Sequence, residues 1–189
     1  VTRLVLVAHA ATEATRTAAF STDEALDAQG TAAVRAAVPV RRHDSAVSSP
    51  ARRCRETAAG LGLRPSIDPA LRDCDFGRWQ GRRLEEVSAT SPDEVRAWLD
   101  DPDAAPHGGE SIRALLERVR TWLHGHPPTA GTTVAVTHPA VVRAAIVAAL
   151  AAGPAAFWRI DISPLTETIL VGGDTRWSLR STGLPLAPR

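Results

Sequence analysis

The chain has 189 residues, 44% apolar and 23% charged, which sets the expectation of one globular domain over residues 1–189 with a sizeable core. Its 22 basic and 21 acidic residues nearly cancel and are interspersed, which speaks against nucleic acid or a membrane surface as partner and leaves room only for a small anion. Every basic residue is arginine and tyrosine is absent, so a Schiff-base lysine, a P-loop lysine and a catalytic tyrosine are all excluded.

Two cysteines, Cys54 and Cys74, form no CxxC pair and do not suggest a secreted disulfide scaffold, so a cytoplasmic location is expected. The first apolar run, LVLVA, is too short for a signal peptide, and AAIVAALAAG is too short to span a bilayer.

RLVLVA, residues 3–8, reads as a strand buried on both faces and ends on His9. A loop or short helix follows, and DAQGTAAVRAAV is predicted to be a helix capped by Asp27. SAVSSP is a short strand with a turn, and ARRCRETAAGLG is a helix closing on Gly60 or Gly62. Residues 64–81 read as mostly irregular, with DCDFGRWQG gathering acidic, aromatic and glycine residues as functional loops do. SPDEVRAWLDD and GGESIRALLERVRTWLHG are two further helices, the second with Ile112, Leu115, Leu116, Val119, Trp122 and Leu123 at helical spacing. TTVAVTH repeats the opening pattern and ends on His138, before the helix PAVVRAAIVAALAAG; a hairpin through Gly172 and Gly173 completes the chain. Strands alternating with helices predict an α/β fold, a three-layer sandwich whose mainly parallel central sheet carries helices on both faces.

In such a sheet, ligands gather at the carboxyl ends of the strands, where helix N-termini point their free N–H groups. His9, Ser48-Ser49 with Arg52-Arg53, and His138 occupy three strand ends, and together make a cationic pocket with no metal-binding pattern. The other histidines fit bland roles: His124 and His126 a solvated helix end, His43 and His107 surface or rim. Ser-Ser-Pro lacks the glycine-flanked elbow of serine hydrolases. Arg52 and Arg55 read as solvated helix residues, Asp75 as a turn cap, Trp79 as packing under the loop, Phe157 and Trp158 as core, and Glu110 as a helix cap or a substrate contact.

With these residues in view, the chain resembles the histidine phosphatase superfamily, in its phosphoglycerate mutase-like branch, over nearly its whole length. LVAHAAT, DEALDAQG, SSPARRCRETA, LRDCDFGRWQG, HGGES and VAVTHPAVVRA are similar to the family's motifs in the family's order. The resemblance implies a phosphatase acting on a small phosphorylated substrate, with His9 as nucleophile, Asp73 as general acid where the family most often has Glu, and His138 as the second histidine. It implies phosphate binding by Arg53 and Thr12, requires no metal or cofactor, and admits a homodimer. A mutase is disfavoured because the chain is compact.

Three positions depart from the family pattern: Ala8 replaces the arginine before the nucleophile, Ala10 the glycine after it, and Pro139 the glycine after the second histidine. Loss of one preorganised donor costs about 3–4 kcal/mol, roughly a hundred- to a thousand-fold in rate. Arg16, seven residues beyond His9, is the expected replacement, swinging into the space beside Ala8, with Arg52 as a further source of charge. The alternative is a weak or inactive relative that binds a phosphorylated ligand or a protein partner.

Overall fold

The computed structural model of the chain describes residues 2–37, 43–125, 131–173 and 176–186. The two apolar runs form its centre: β1 (Thr2–Ala8) and β4 (Gly131–Thr137) pair in parallel, with Val5 opposite Val134 and Ala8 opposite Thr137. β2 (Ser45–Ser48) lies parallel on the far side of β4, followed by the two-residue β3 (Ser66–Ile67). On the other side of β1 come β5 (Thr166–Gly173) and β6 (Arg176–Pro185), both antiparallel, giving the order β3-β2-β4-β1-β5-β6. Residues 174–175 and 126–130, and with them His126, lie outside the described residues.

Because successive side chains of a strand point to opposite faces, β1 serves two cores. Leu4, Leu6 and Ala8 pack with α6 (Ile112–His124) and α7 (Pro139–Ala149), while Val5 and Val7 pack with α2 (Ala28–Ala36) and α3 (Arg52–Gly60). The three-layer α/β sandwich predicted from the sequence is therefore present. Asp27 caps α2 by accepting the Gly30 N–H at 2.6 Å, and Pro92 and Pro139 open α5 (Pro92–Asp100) and α7, as their positions in the sequence predict.

The loop or short helix expected after β1 is the single-turn α1 (Glu13–Arg16), and one helix, α4 (Leu84–Thr90), adds to the outline. α4 and α5 close a third, smaller cluster of Phe20, Trp79, Val87, Val95 and Trp98 beneath the irregular segment 72–83. No helix among the described residues is long and apolar enough to cross a membrane.

Candidate active site

Parallel pairing brings the strand-end residues together. His9 and His138 follow the paired residues Ala8 and Thr137, and the His9 N–H donates to the Thr137 carbonyl at 2.9 Å. Ser49, just beyond β2, donates its N–H to the Val136 carbonyl at 2.9 Å and joins the same edge. The His9 and His138 ring centroids are 5.3 Å apart. Both rings are buried, as is Arg53 from the first turn of α3, at 3%, 0% and 2% exposure, so this charge sits where water screens it little.

Arg53 is the hub. Its Nε donates to His9 Nε2 at 3.2 Å, Nη1 to the Thr22 carbonyl at 2.6 Å, and Nη2 to Asp73 Oδ2 at 2.9 Å and His138 Nδ1 at 3.1 Å. These partners fix both imidazole tautomers. His9 Nδ1 lies 2.8 Å from the Ala10 carbonyl, which can only accept, so the His9 proton sits on Nδ1 and the lone pair on Nε2. His138 accepts at Nδ1 from Arg53, so its Nε2–H donates to Ser49 Oγ at 2.8 Å. Burial, reinforced by the Arg53 charge, lowers the His9 pKa to about 4 against weaker opposition from Ala10, Asp73 and Glu24. Burial likewise drives His138 well below the ordinary histidine value, with His9 and Arg53 adding to it. Both rings are neutral near pH 7. Behind them, burial pushes the Cys54 thiol up to about 12.

Asp73 faces this hub on a loop that is firmly held. Besides Arg53, its carboxylate lies 3.4 Å from His138 Nδ1 and accepts the Cys74 N–H at 2.9 Å. Arg118, from the middle of α6, donates to the carbonyls of Ala70, Arg72 and Asp73 and to both Glu110 oxygens, at 2.8 and 2.7 Å. Glu110 therefore neither caps α6, whose cap is Ser111, nor faces the hub: it is the partner of Arg118. The HGGES and DCDFG segments cross so closely that a Cβ on Gly109 would collide with the Asp75 carbonyl, and one on Gly77, at φ +46°, with that of His107.

Other residues of this loop divide between expectation and correction. Asp75 accepts the Gly77 N–H at 2.9 Å as a turn cap, and Trp79 is fully buried. His107 is not at the rim: at 1% exposure it packs edge-on against Trp79, with centroids 5.0 Å apart, and its Nδ1 accepts the Gly109 N–H.

Of the predicted site residues, His9, Arg53, Asp73 and His138 converge, and Arg16 does not. Its side chain, 53% exposed, pairs with Glu13 and lies 3.7 Å from Asp27. Thr12 caps α1 by accepting the Thr15 N–H at 3.2 Å, so the short helix carries Arg16 outward, and the replacement of the missing arginine by Arg16 does not hold. Arg52 is also turned away, 56% exposed and paired with Glu56 at 2.7 Å. Ala8 is fully buried among Leu4, Leu6, Leu71, Cys74 and Ile112, and the Ala10 N–H is taken by Thr57 Oγ1 at 3.0 Å. Thr12 is buried, its hydroxyl donating to Glu24 Oε1 at 3.1 Å.

Sequence reasoning did not single out Glu24 or Arg118. Glu24 Oε2 lies 3.7 Å from Arg53 Nη1 and accepts the Thr22 N–H at 2.8 Å, so a second carboxylate borders the hub. Its place within DEALDAQG was the available signal. Among the described residues, no group of three or more His, Cys, Asp or Glu is arranged to hold a metal ion.

Comparison with known proteins gives the family. Residues 4–184 match the model of the histidine phosphatase superfamily, branch 1. Glucosyl-3-phosphoglycerate phosphatase of Mycolicibacterium vanbaalenii is 37% identical, over 60% of this chain and 56% of that protein. Phosphoserine phosphatase 1 of Hydrogenobacter thermophilus is 29% identical, over 69% of this chain and 65% of that one. A mycobacterial glucosyl-3-phosphoglycerate phosphatase in complex with VO3 superposes with a TM-score of 0.80 at 28% identity, covering 98% of this chain and 99% of that chain. The chain spans about half the length of the first curated relatives it matches. A family match over nearly the whole chain, on a fold that brings the motif histidines together, establishes that this chain belongs to the histidine phosphatase superfamily.

Proposed function

We propose that residues 1–189 act as a single cytoplasmic catalytic domain that hydrolyses a small phosphomonoester through a phosphohistidine on His9. The observation that carries this reading is the pairing of Arg53 Nε with His9 Nε2 at 3.2 Å, which puts a fixed cation beside the lone pair of a neutral, buried imidazole. His9 Nε2 attacks phosphorus in line as the ester P–O bond breaks, and Asp73, having taken a proton from the monoanionic phosphate group of the substrate, gives it to the departing oxygen. Water then attacks the phosphohistidine, Asp73 takes a proton from it, and phosphate leaves. Arg53 can present two N–H groups to the equatorial oxygens once phosphate displaces its present acceptors, and His138 supplies a further donor after a proton shift. Thr12 acts indirectly, by holding Glu24 and the start of α1. The scheme assigns each step to a side chain. The named phosphatases among the relatives support a phosphoric monoester hydrolase.

A second reading, a relative that binds a phosphorylated ligand and turns it over weakly or not at all, is favoured by Ala8 and by the outward course of Arg16. A panel of phosphomonoesters assayed with wild type and His9→Ala separates the two. Release of phosphate by wild type alone supports catalysis, equal release by both removes His9 as nucleophile, and release by neither leaves the binding protein.

A further inference from the structure

The chain has only eight aromatic side chains, five Trp and three Phe. Five of them, Phe20, Phe76, Trp98, Phe157 and Trp158, line one cleft of about 90 Å³ together with Cys74, Ile112, Ala140 and Arg143. The cleft is bounded by the same segments that build the Arg53 hub. Cys74 follows Asp73 and donates its N–H to that carboxylate at 2.9 Å, Ala140 follows His138 by two residues, and Phe20 precedes by two the Thr22 whose carbonyl holds Arg53. The alcohol carbon of a leaving oxygen protonated by Asp73 lies next to that carboxyl group, and the cleft begins at the neighbouring residue, Cys74.

Its lining selects a chemical class. Aromatic walls favour a flat apolar group through burial and offset or edge-on ring contacts, and offer little to a polyhydroxylated one, whose hydroxyls would lose water without gaining partners. At about 90 Å³ the cleft admits no more than one ring. Arg143 is the only charged side chain in the lining: its Nε donates to the Ile160 carbonyl at 2.8 Å, its guanidinium lies over Phe157 at 5.8 Å, and its terminal nitrogens bond no described residue. A guanidinium whose two terminal NH2 groups bond no described residue, lining an apolar cleft with Asp161 as its neighbouring charge, is suited to a carboxylate. A second hollow adjoining the hub, of about 300 Å³, is lined by Glu13, Glu24 and Glu86 with Arg83 and repels an anionic substituent.

Resting on the phosphatase reading above, we propose that the aromatic cleft receives the leaving group and that the substrate is the phosphomonoester of an alcohol bearing one flat apolar ring and a carboxylate that meets Arg143.

The test uses alkyl leaving groups of similar basicity: ethyl, glycerol, benzyl and 4-carboxybenzyl phosphate as substrates, with ethyl-, benzyl- and 4-carboxybenzylphosphonate as non-hydrolysable ligands. Expected is a kcat/KM for benzyl over ethyl phosphate of about 10- to 100-fold, a further gain of about 10-fold for the carboxylated ring, and the same ranking in phosphonate binding by calorimetry. Ala140→Leu, which fills the cleft, is expected to collapse the benzyl-to-ethyl ratio; Trp158→Leu at the half-buried wall gives the same readout if that variant does not fold. Arg143→Gln is expected to erase the carboxylate gain alone. Glycerol or ethyl esters hydrolysed as well as benzyl esters would overturn the cleft assignment and leave the phosphatase reading standing. Ranked phosphonate binding without turnover of any ester would do the reverse.

Discussion

Arg53 Nε donates to the same His9 nitrogen, Nε2, that the proposed chemistry needs free, at 3.2 Å. In this arrangement the guanidinium also holds Asp73 and the Thr22 carbonyl, so one side chain positions nucleophile, acid and loop. A phosphate must compete for these N–H groups. Arg53→Ala is therefore expected to lower kcat/KM by at least about a hundred-fold. Arg16→Ala, which removes an exposed pair with Glu13 and a 3.7 Å contact with the half-buried Asp27, should change it less than about two-fold and stability by about 1 kcal/mol or less. Steady-state kinetics and melting of the two variants check this contrast; equal losses would return Arg16 to the site.

The two buried histidines make stability depend on pH. His9 has a folded pKa of about 4 against an ordinary 6.5, and burial holds His138 well below the ordinary value too, so below pH 6.5 the unfolded chain binds protons that the folded chain refuses. Their neutral-ring stability is complete above pH 6.5 and falls as the pH drops from 6.5 toward 4, by up to about 1.4 kcal/mol per pH unit for each ring. Over that window His9 alone accounts for about 3 kcal/mol. Urea unfolding at pH 7 and pH 5 should show the loss in wild type and a shallower one in His9→Gln.

Asp73→Asn keeps the side chain's size but removes the transferable proton. Its effect on kcat/KM, which reports phosphoryl transfer to His9, is expected to scale with leaving-group basicity: a loss of about 10²–10⁴ for an alkyl phosphate and a much smaller one for 4-nitrophenyl phosphate. A uniform loss across both substrates would show that Asp73 serves only to orient Arg53.

The Arg118–Glu110 pair acts on Asp73 through the backbone of residues 70–73. Both side chains are largely buried, at 13% and 9% exposure, and removing Arg118 leaves Glu110 with only its 3.5 Å contact to Arg72, at a cost of up to about 3–5 kcal/mol. Arg118→Met is expected to lower the melting temperature and to reduce kcat with KM little changed, because phosphate binding by Arg53 is left intact. A rise in KM alone would contradict a positioning role.

Much of this molecule is legible in its sequence because the decisive residues belong to continuous patterns. The apolar runs before His9 and His138 fix two central strands, and with them the adjacency of the two rings. What escaped depends on contacts distant in sequence. α4 buries only Val87, too little for a helical stripe, and β3 is a two-residue strand with both side chains exposed. Arg118 reads as a solvated residue on a polar helix face until segment 70–73 lies against it. His107 sits between proline and glycine signals that suggest a surface loop, yet Trp79 covers it. Arg16 was misplaced because distance along the chain carries no direction: the turn capped by Thr12 points it outward.

The central claim is that His9 carries the phosphoryl group. Rapid quenching of wild type with a turning-over phosphomonoester into alkali, where phosphohistidine persists, followed by peptide mass spectrometry, tests it directly. With 4-nitrophenyl phosphate, whose leaving group needs little acid help, the account predicts a phosphate on the His9 peptide of wild type that builds up in Asp73→Asn, whose hydrolytic step lacks its base, and that is absent from His9→Ala. Phosphate release by His9→Ala at the wild-type rate, or label on any other residue, would contradict it.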